Sequence, residues 1–221
     1  MPTTLTEYEQ IKPANVDELK ELLDRNHIST DGWGTNGIHS IEKLLKTLRE
    51  NHVYFVQPPR LNGARHPLTL HVHCAVVIVW YMSTPLRELY EKRQIFPDGH
   101  VIDRSGTFNG LGETLNWNDG YPEDPDSGAH RLLCEELGQS QPLFKERVRY
   151  QCFHKETTTL GPIPHDKWPF LGVFHRNVKM CEIPHGSPLY LPDGYVEVEK
   201  PEDGGRRIEF AWRDVDRMKT S

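Results

Sequence analysis

Apolar residues recur at two different periods along this chain, and the change of period divides it. Val16, Leu19, Leu22 and Leu23 return at helical spacing, and the run stops in the polar stretch from Asp24 to Asp31. A second helix is expected from about His39 to Glu50, with Ile41, Leu44, Leu45 and Leu48 on one face. Between the two, Asp31 to Gly37 supplies turn residues, with Trp33 as an anchor onto the core. From Val53 the period becomes two. Val53–Val56 and the long run Leu68–Tyr81 read as strands, separated by a loop containing Pro58, Pro59 and Asn62-Gly63. The long strand is apolar on both faces near its end, which predicts a central place in a sheet covered by helices.

Further along, Pro85 to Gln94 reads as a helical turn or a charged strand, and Phe96-Pro-Asp-Gly99 as a turn. Gly110-Leu-Gly112-Glu113 offers a glycine pair without the third glycine or the helix that a dinucleotide site needs. A short amphipathic helix ends at Gly138. Strands are then expected over Val148–His154 and Gly172–Ile183, with Tyr190, Tyr195 and Arg207–Trp212 continuing the pattern and a peripheral charged tail from Arg213. The order of elements predicts an α+β fold, a mixed β-sheet with helices laid against it. Residues 1–52 are expected to form a short helical N-terminal extension and residues 53–221 the main domain.

Composition narrows the function classes. At 221 residues and 36% hydrophobic content, the chain can build one sizeable core. A net charge of -6 argues against a broad basic surface for a nucleic-acid polymer and suits divalent cations better. Cys74, Cys134, Cys152 and Cys181 stand far apart with no C-x-x-C pair, so reduced thiols and a cytoplasmic location are expected. The first ten residues lack a basic start followed by an apolar run, and no apolar stretch reaches a membrane-spanning length, so no membrane partner is expected. The expected partner is a small-molecule substrate. A homodimer stays open.

Two candidate sites follow from side-chain placement. His71 and His73 share one face of the long strand with Tyr81, and an H-x-H on a strand is a metal-ligand geometry that needs a third ligand. Without one designated, His71, His73 and Tyr81 are expected to line a substrate pocket. The second candidate is the helix before Gly138. Ala129, Leu133 and Leu137 form an apolar row, Arg131 can pair with Glu135 one turn later, and Leu132, Glu135 and Glu136 share a side.

That second stretch resembles the Nudix box, a glycine, five residues, a glutamate, seven residues and then R-E-U-x-E-E-x-G, with U a bulky aliphatic. Glu123, Arg131, Leu133, Glu135, Glu136 and Gly138 fall on its spacing, over about a tenth of the chain. Two positions depart from it: Trp117 stands in the register of the first glycine, and Leu132 replaces the first glutamate of the helix. The resemblance implies a Nudix-like fold and a pyrophosphohydrolase that cleaves a nucleoside diphosphate linked to another moiety. It implies magnesium or manganese held by Glu135 and Glu136, with Glu123 as a further ligand or base and Arg131 as organiser. With Leu132 in place, a third ligand would come from elsewhere, for instance Glu113, Asp119 or His73. Non-hydrolytic chemistry of the isomerase or cyclase kind, or an inactive ligand-binding or regulatory domain, are the alternatives.

Overall fold

Asn15 opens the first helix, α1 (Val16–Arg25), because its side-chain carbonyl accepts the Glu18 amide at 2.9 Å, while the Glu18 carboxylate reaches back to the Ala14 amide at 2.8 Å. Ser40 does the same for α2 (Ile41–Glu50), accepting from the Lys43 amide at 3.2 Å. The structure is a computed structural model, and it describes residues 10–35, 39–57, 67–105, 111–118, 121–137, 156–165, 168–198 and 205–215. The expected strand at Val148–His154, together with Pro58, Pro59, Asn62, Gly63, Gly110, Asp119, Gly138 and Cys152, lies outside the described residues. The remaining elements are β1 (Gln10–Ile11), β2 (Val53–Val56), β3 (Thr69–Tyr81), β4 (Arg87–Ile95), β5 (Val101–Asp103), β6 (Leu111–Thr114), β7 (Trp117–Asn118), β8 (Tyr121–Pro122), α3 (Pro125–Glu136), β9 (Glu156–Pro164), β10 (Leu171–Ile183), β11 (Tyr195–Val198) and β12 (Arg207–Asp214).

Contacts divide the chain into two compact units, one of residues 1–74, 114–124 and 158–176, the other of 75–113, 125–157 and 177–221. In the first unit β2 pairs antiparallel with β1, from Gln10 opposite Val56, and with the start of β3, from Val53 opposite Val72. Helical spacing turns Leu19, Leu23, Leu44 and Leu48 inward, where they meet Phe55 and Leu70 in one core. Every residue of β2 is buried, which is why its period-two signal is apolar on both sides.

In the second unit β4 carries the pairing. It meets β12 antiparallel from Arg207 opposite Ile95 to Asp214 opposite Arg87, with a bulge at Glu209–Phe210, and it also pairs with β5 and the end of β3. β11 adds to β12 from Tyr195 opposite Phe210. The turn into β11 needs Gly194, whose φ is +84° and where a Cβ would stand 1.9 Å from the Phe210 carbonyl oxygen. Helix α3 buries Ala129, Leu132, Leu133 and Leu137, and an ion pair between Asp126 and the buried Lys179 fastens its first turn to β10.

Three expectations are corrected or resolved. Residues 87–95 form a strand, because the charged residues pair across to β12: Arg93 holds Glu209 at 2.6 Å and Arg87 holds Asp214 at 3.6 Å. Arg213 and Asp214 therefore close β12 instead of starting a peripheral tail. β9 went unread because Gly161, Pro162 and Pro164 break the alternation that marks a strand. Every pair with a defined register runs antiparallel, and no helix among the described residues is long and apolar enough to cross a membrane.

Leu44 is fully buried between α1 and the first unit's strands. Leu44→Ala is expected to destabilise the protein by about 2–5 kcal/mol, read as a lower urea midpoint at unchanged m.

Candidate functional site

The same spacing that sends Leu132 into the core carries Glu136, four residues on, to the buried side of α3. Leu132 is 0% exposed and belongs to the packing of the helix. Glu135 is turned outward, with its side chain 54% exposed. Arg131 Nη1 lies 2.6 Å from a carboxylate oxygen of Glu113 on β6 and 3.3 Å from Glu135, so one guanidinium holds two acids from different elements. The expected Arg131–Glu135 pair is present, and Glu113 is a partner that helical spacing alone could not supply.

A cavity of about 350 Å³ opens beside them within the second unit, lined by Glu91, Glu113, Glu135, Glu136 and Glu197. Against these five glutamates the same wall sets two arginines, Arg104 and Arg206. Both arginines are engaged: Arg104 Nε lies 3.6 Å from Glu91, and Arg206 Nη1 donates to Gln94 Oε1 at 2.9 Å. Leu111, Ile208 and Phe210 form the apolar part of the lining.

Burial pushes the Glu136 carboxyl far above the ordinary carboxylate range, and the neighbouring Glu197, Glu113 and Glu91 push it further. Glu113 is also raised by burial, opposed in part by Arg131. Glu197 lies within hydrogen-bonding reach of Glu136. Two ionised carboxylates cannot donate to each other, and the Oε2 atoms of both are buried without a donor among the described residues. Such a group keeps a shared proton or meets a cation.

Carboxylates are donors of the kind a hard divalent cation takes. Magnesium is held by one or two protein carboxylates and otherwise by waters and phosphate oxygens. Among the described residues no three His, Cys, Asp or Glu side chains form a group that could hold a metal ion.

Glu197 shows why part of this wall went unread. In β11, Tyr-Val-Glu-Val, period-two reasoning places the valines inside. Val196 and Val198 are instead exposed, whereas Tyr195 is buried and Glu197 shares its face. A glutamate on the buried side of an inverted alternation is the signal that could have found it. Glu91, Arg104 and Arg206 carry no local signal.

The other expected site residues are not among those lining this cavity. Glu123 lies in the first unit, where its carboxylate accepts the Asn116 amide at 2.9 Å and its own amide donates to the Asn116 carbonyl at 2.9 Å. Trp117 stands on β7 with Lys12 Nζ 3.9 Å from its ring centre. Tyr81, in the second unit, stacks on Tyr190 at 3.7 Å and shares a hydrogen bond with His185 at 3.0 Å. His71 and His73 belong to a four-imidazole cluster in the first unit. His52 stacks on His73 at 3.8 Å and His73 on His175 at 4.4 Å, while His71 Nδ1 and His175 Nε2 share a hydrogen bond of 2.9 Å. Burial drives His73 down to about 3 and His52 and His71 down to about 4, and it lowers His175 as well, so burial favours the neutral form of all four rings. Among the described residues Cys74, Cys134 and Cys181 are free thiols.

Two outcomes follow for the cation-free protein. Restoring an acid by Leu132→Glu would bury an unpaired carboxylate and is expected to cost about 3–5 kcal/mol, measured by urea unfolding. A carboxyl raised above its ordinary 4.5 contributes stability that is complete below that pH and is lost as pH rises towards its folded-state value. Thermal stability without divalent cation is therefore expected to fall from pH 6.5 to pH 9, a window where the low-titrating imidazoles stay neutral, and Glu136→Gln is expected to flatten that slope.

No protein-family model and no curated protein matches the sequence. Among solved structures, the crystal structure of a C. elegans Ap4A hydrolase binary complex is similar at a TM-score of 0.37 and 13% identity, over 66% of this chain and 82% of that one.

Proposed function

We propose that the acid cavity of the second unit is the active site of a magnesium- or manganese-dependent hydrolase of Nudix type, acting on a diphosphate-containing small molecule. The observation that carries this reading is Glu136, a buried carboxylate with a donorless oxygen, at the box position where a metal-binding glutamate is expected. Five glutamates outnumber two arginines around one small cavity, a charge balance that a divalent cation would offset.

The contacts support a set of roles. Glu135 and Glu136 are the cation-holding pair, and Glu113 supplies the acid that Leu132 does not. Arg131 fixes Glu113 and Glu135 together, so it positions ligands rather than substrate. Glu136, raised by burial and by the neighbouring acids, holds its proton in the cation-free protein and would give it up to a cation, so cation affinity rises with pH. Arg104 and Arg206 contribute positive potential for anionic phosphates while orienting Glu91 and Gln94. A bound ion of this kind neutralises phosphate charge and acidifies a water for attack on phosphorus.

One observation favours a second reading, a ligand-binding module without turnover: Leu132 fills the place of the box's first acid with fully packed side chain. Assay separates the two. Nucleotide sugars, dinucleotides and prenyl diphosphates are tested for phosphate-bond cleavage with magnesium or manganese. Turnover of at least one is expected, with Glu136→Gln lowering kcat by about 100-fold or more. Binding without turnover across that panel, insensitive to Glu136→Gln, would establish the module instead. Isothermal titration at pH 6.5 and 8.5 is expected to show tighter manganese binding at the higher pH, with proton release.

A further inference from the structure

In the first unit a chain of side-chain hydrogen bonds runs through two of the four imidazoles, and one carbonyl fixes its direction. Thr69 Oγ1 donates its only hydrogen to the Val56 carbonyl at 3.4 Å, so it accepts from His71 Nε2, 3.2 Å away. A neutral imidazole carries one N–H, which leaves His71 Nδ1 as an acceptor. Its partner at 2.9 Å, His175 Nε2, is then the donor, and the other nitrogen of His175, Nδ1, carries no hydrogen. That nitrogen faces the Thr159 hydroxyl at 3.4 Å, on the exposed strand β9. The His71–His175 bond thus ties β3 to β10, the strand that pairs with it.

This polarity decides where a proton enters. At His175 Nδ1 it enters with every bond of the chain kept, because the Thr159 hydroxyl turns round and accepts. At His71 Nδ1 it would set two N–H groups against each other at 2.9 Å. Once His175 is charged, His73 is stacked on a cation at 4.4 Å, and His52 is stacked on His73 at 3.8 Å. Lys12 adds an ammonium that opposes a charge on both His52 and His73. The other titratable groups around the rings come from the neighbouring elements. β2 supplies Tyr54, whose hydroxyl meets His73 Nε2 at 3.1 Å, and β3 supplies Cys74, whose thiol donates to the His175 carbonyl at 3.7 Å. Burial raises both, so neither ionises in acid. Arg176 follows His175 on β10, Glu123 is bound to the Asn116 amide, and at the end of α2 Glu50 pairs with Lys46 at 3.8 Å.

We propose that the four imidazoles form an acid-operated latch of the first unit, which stays closed with one proton at His175 Nδ1 and opens when a second arrives. On His71 that second proton breaks the bond between β3 and β10; on His73 or His52 it puts two cations into one stack of rings. Burial supports the direction of the switch, since it holds His73 at about 3 and His52 and His71 at about 4 and lowers His175 too. Bases depressed in the folded state contribute stability that is complete above their ordinary 6.5 and is lost as pH falls towards the folded-state values. The latch therefore opens on the acid side, between 6.5 and about 4.

The test follows the imidazole nitrogens of the full, nitrogen-labelled chain by NMR from about pH 8 to about pH 4, a range that spans the ordinary histidine value. Each ring is assigned by its loss in a single variant. At the alkaline end His71 and His175 are both expected as Nε2–H tautomers. On acidification His175 is expected to charge first, with His52, His71 and His73 following together in one later step. Hydrogen exchange reads the opening: amides of residues 53–56 and 69–74 are expected to lose protection in that step, and those of residues 207–214 in the second unit to keep it. Thr159 is exposed, so Thr159→Val leaves the core intact. It removes the acceptor for the charged ring and is expected to lower the pH of His175 uptake by about half a unit. His73→Phe keeps a ring in the stack without its charge and is expected to move the later step lower by about half a unit or more. Circular dichroism at neutral pH confirms that both variants fold. The proposal is overturned if the four rings titrate independently near their ordinary value, if a ring other than His175 charges first, if the first unit keeps its protection through the later step, or if neither folded variant moves its step.

Discussion

A carboxylate removed from water must meet a donor, a proton or a cation, and in the second unit Glu136 has no donor for its Oε2 among the described residues. Glu136 lies on the buried side of α3 with Glu197, Glu113 and Glu91 around it, and burial together with those charges opposes its ionisation. The helix does not place it there for its own sake. Ala129, Leu132, Leu133 and Leu137 seat α3 by their apolar surface, the Asp126–Lys179 pair fixes its first turn, and Glu136 follows from the helical repeat. Hydrophobic burial thus supplies the energy that holds an electrostatically unfavourable group in position.

Arg131 joins two acids from different elements. It neutralises part of the acid cluster through Glu113 and Glu135, whereas the Oε2 atoms of Glu136 and Glu197 have no donor among the described residues. The bulged β4–β12 ladder and the Gly194 turn place β11 so that Glu197 faces inward and its valines face solvent. Each device gives up something locally favourable, a buried valine or a satisfied carboxylate, for a concentration of negative charge. Such violations of local preference are where sites of function concentrate.

Two cavities divide the polar chemistry of the chain between them. One is crowded with ionisable groups; the other is lined mainly by proline, leucine and aromatic side chains, with His27 and His165 among its described lining residues. The four-imidazole cluster of the first unit follows a third rule, in which stacking and burial keep the rings neutral so that they pack as aromatic, hydrogen-bonding surface. Histidines in an H-x-H pattern need no metal when their neighbours are other imidazoles and Tyr54, whose hydroxyl lies 3.1 Å from His73 Nε2.

Periodicity alone determined α1, α2, β2, β3 and the apolar face of α3, because in each the residues that pack are also the residues whose spacing is read. It likewise placed Arg131 next to Glu135, since one helical turn sets that distance. It could not decide between helix and strand for residues 87–95, where the deciding partners lie on β12 more than a hundred residues later. Nor could it assemble the acid wall. Glu91, Glu113, Glu136 and Glu197 come from four separate elements, and the charge that each feels depends on burial and on the other three. The sequence determined that Ala129, Leu133 and Leu137 pack; only the tertiary structure decided that Leu132 would be buried with them and that Glu136 would meet other acids in place of a base, because long-range strand pairing, not local spacing, brings those residues together.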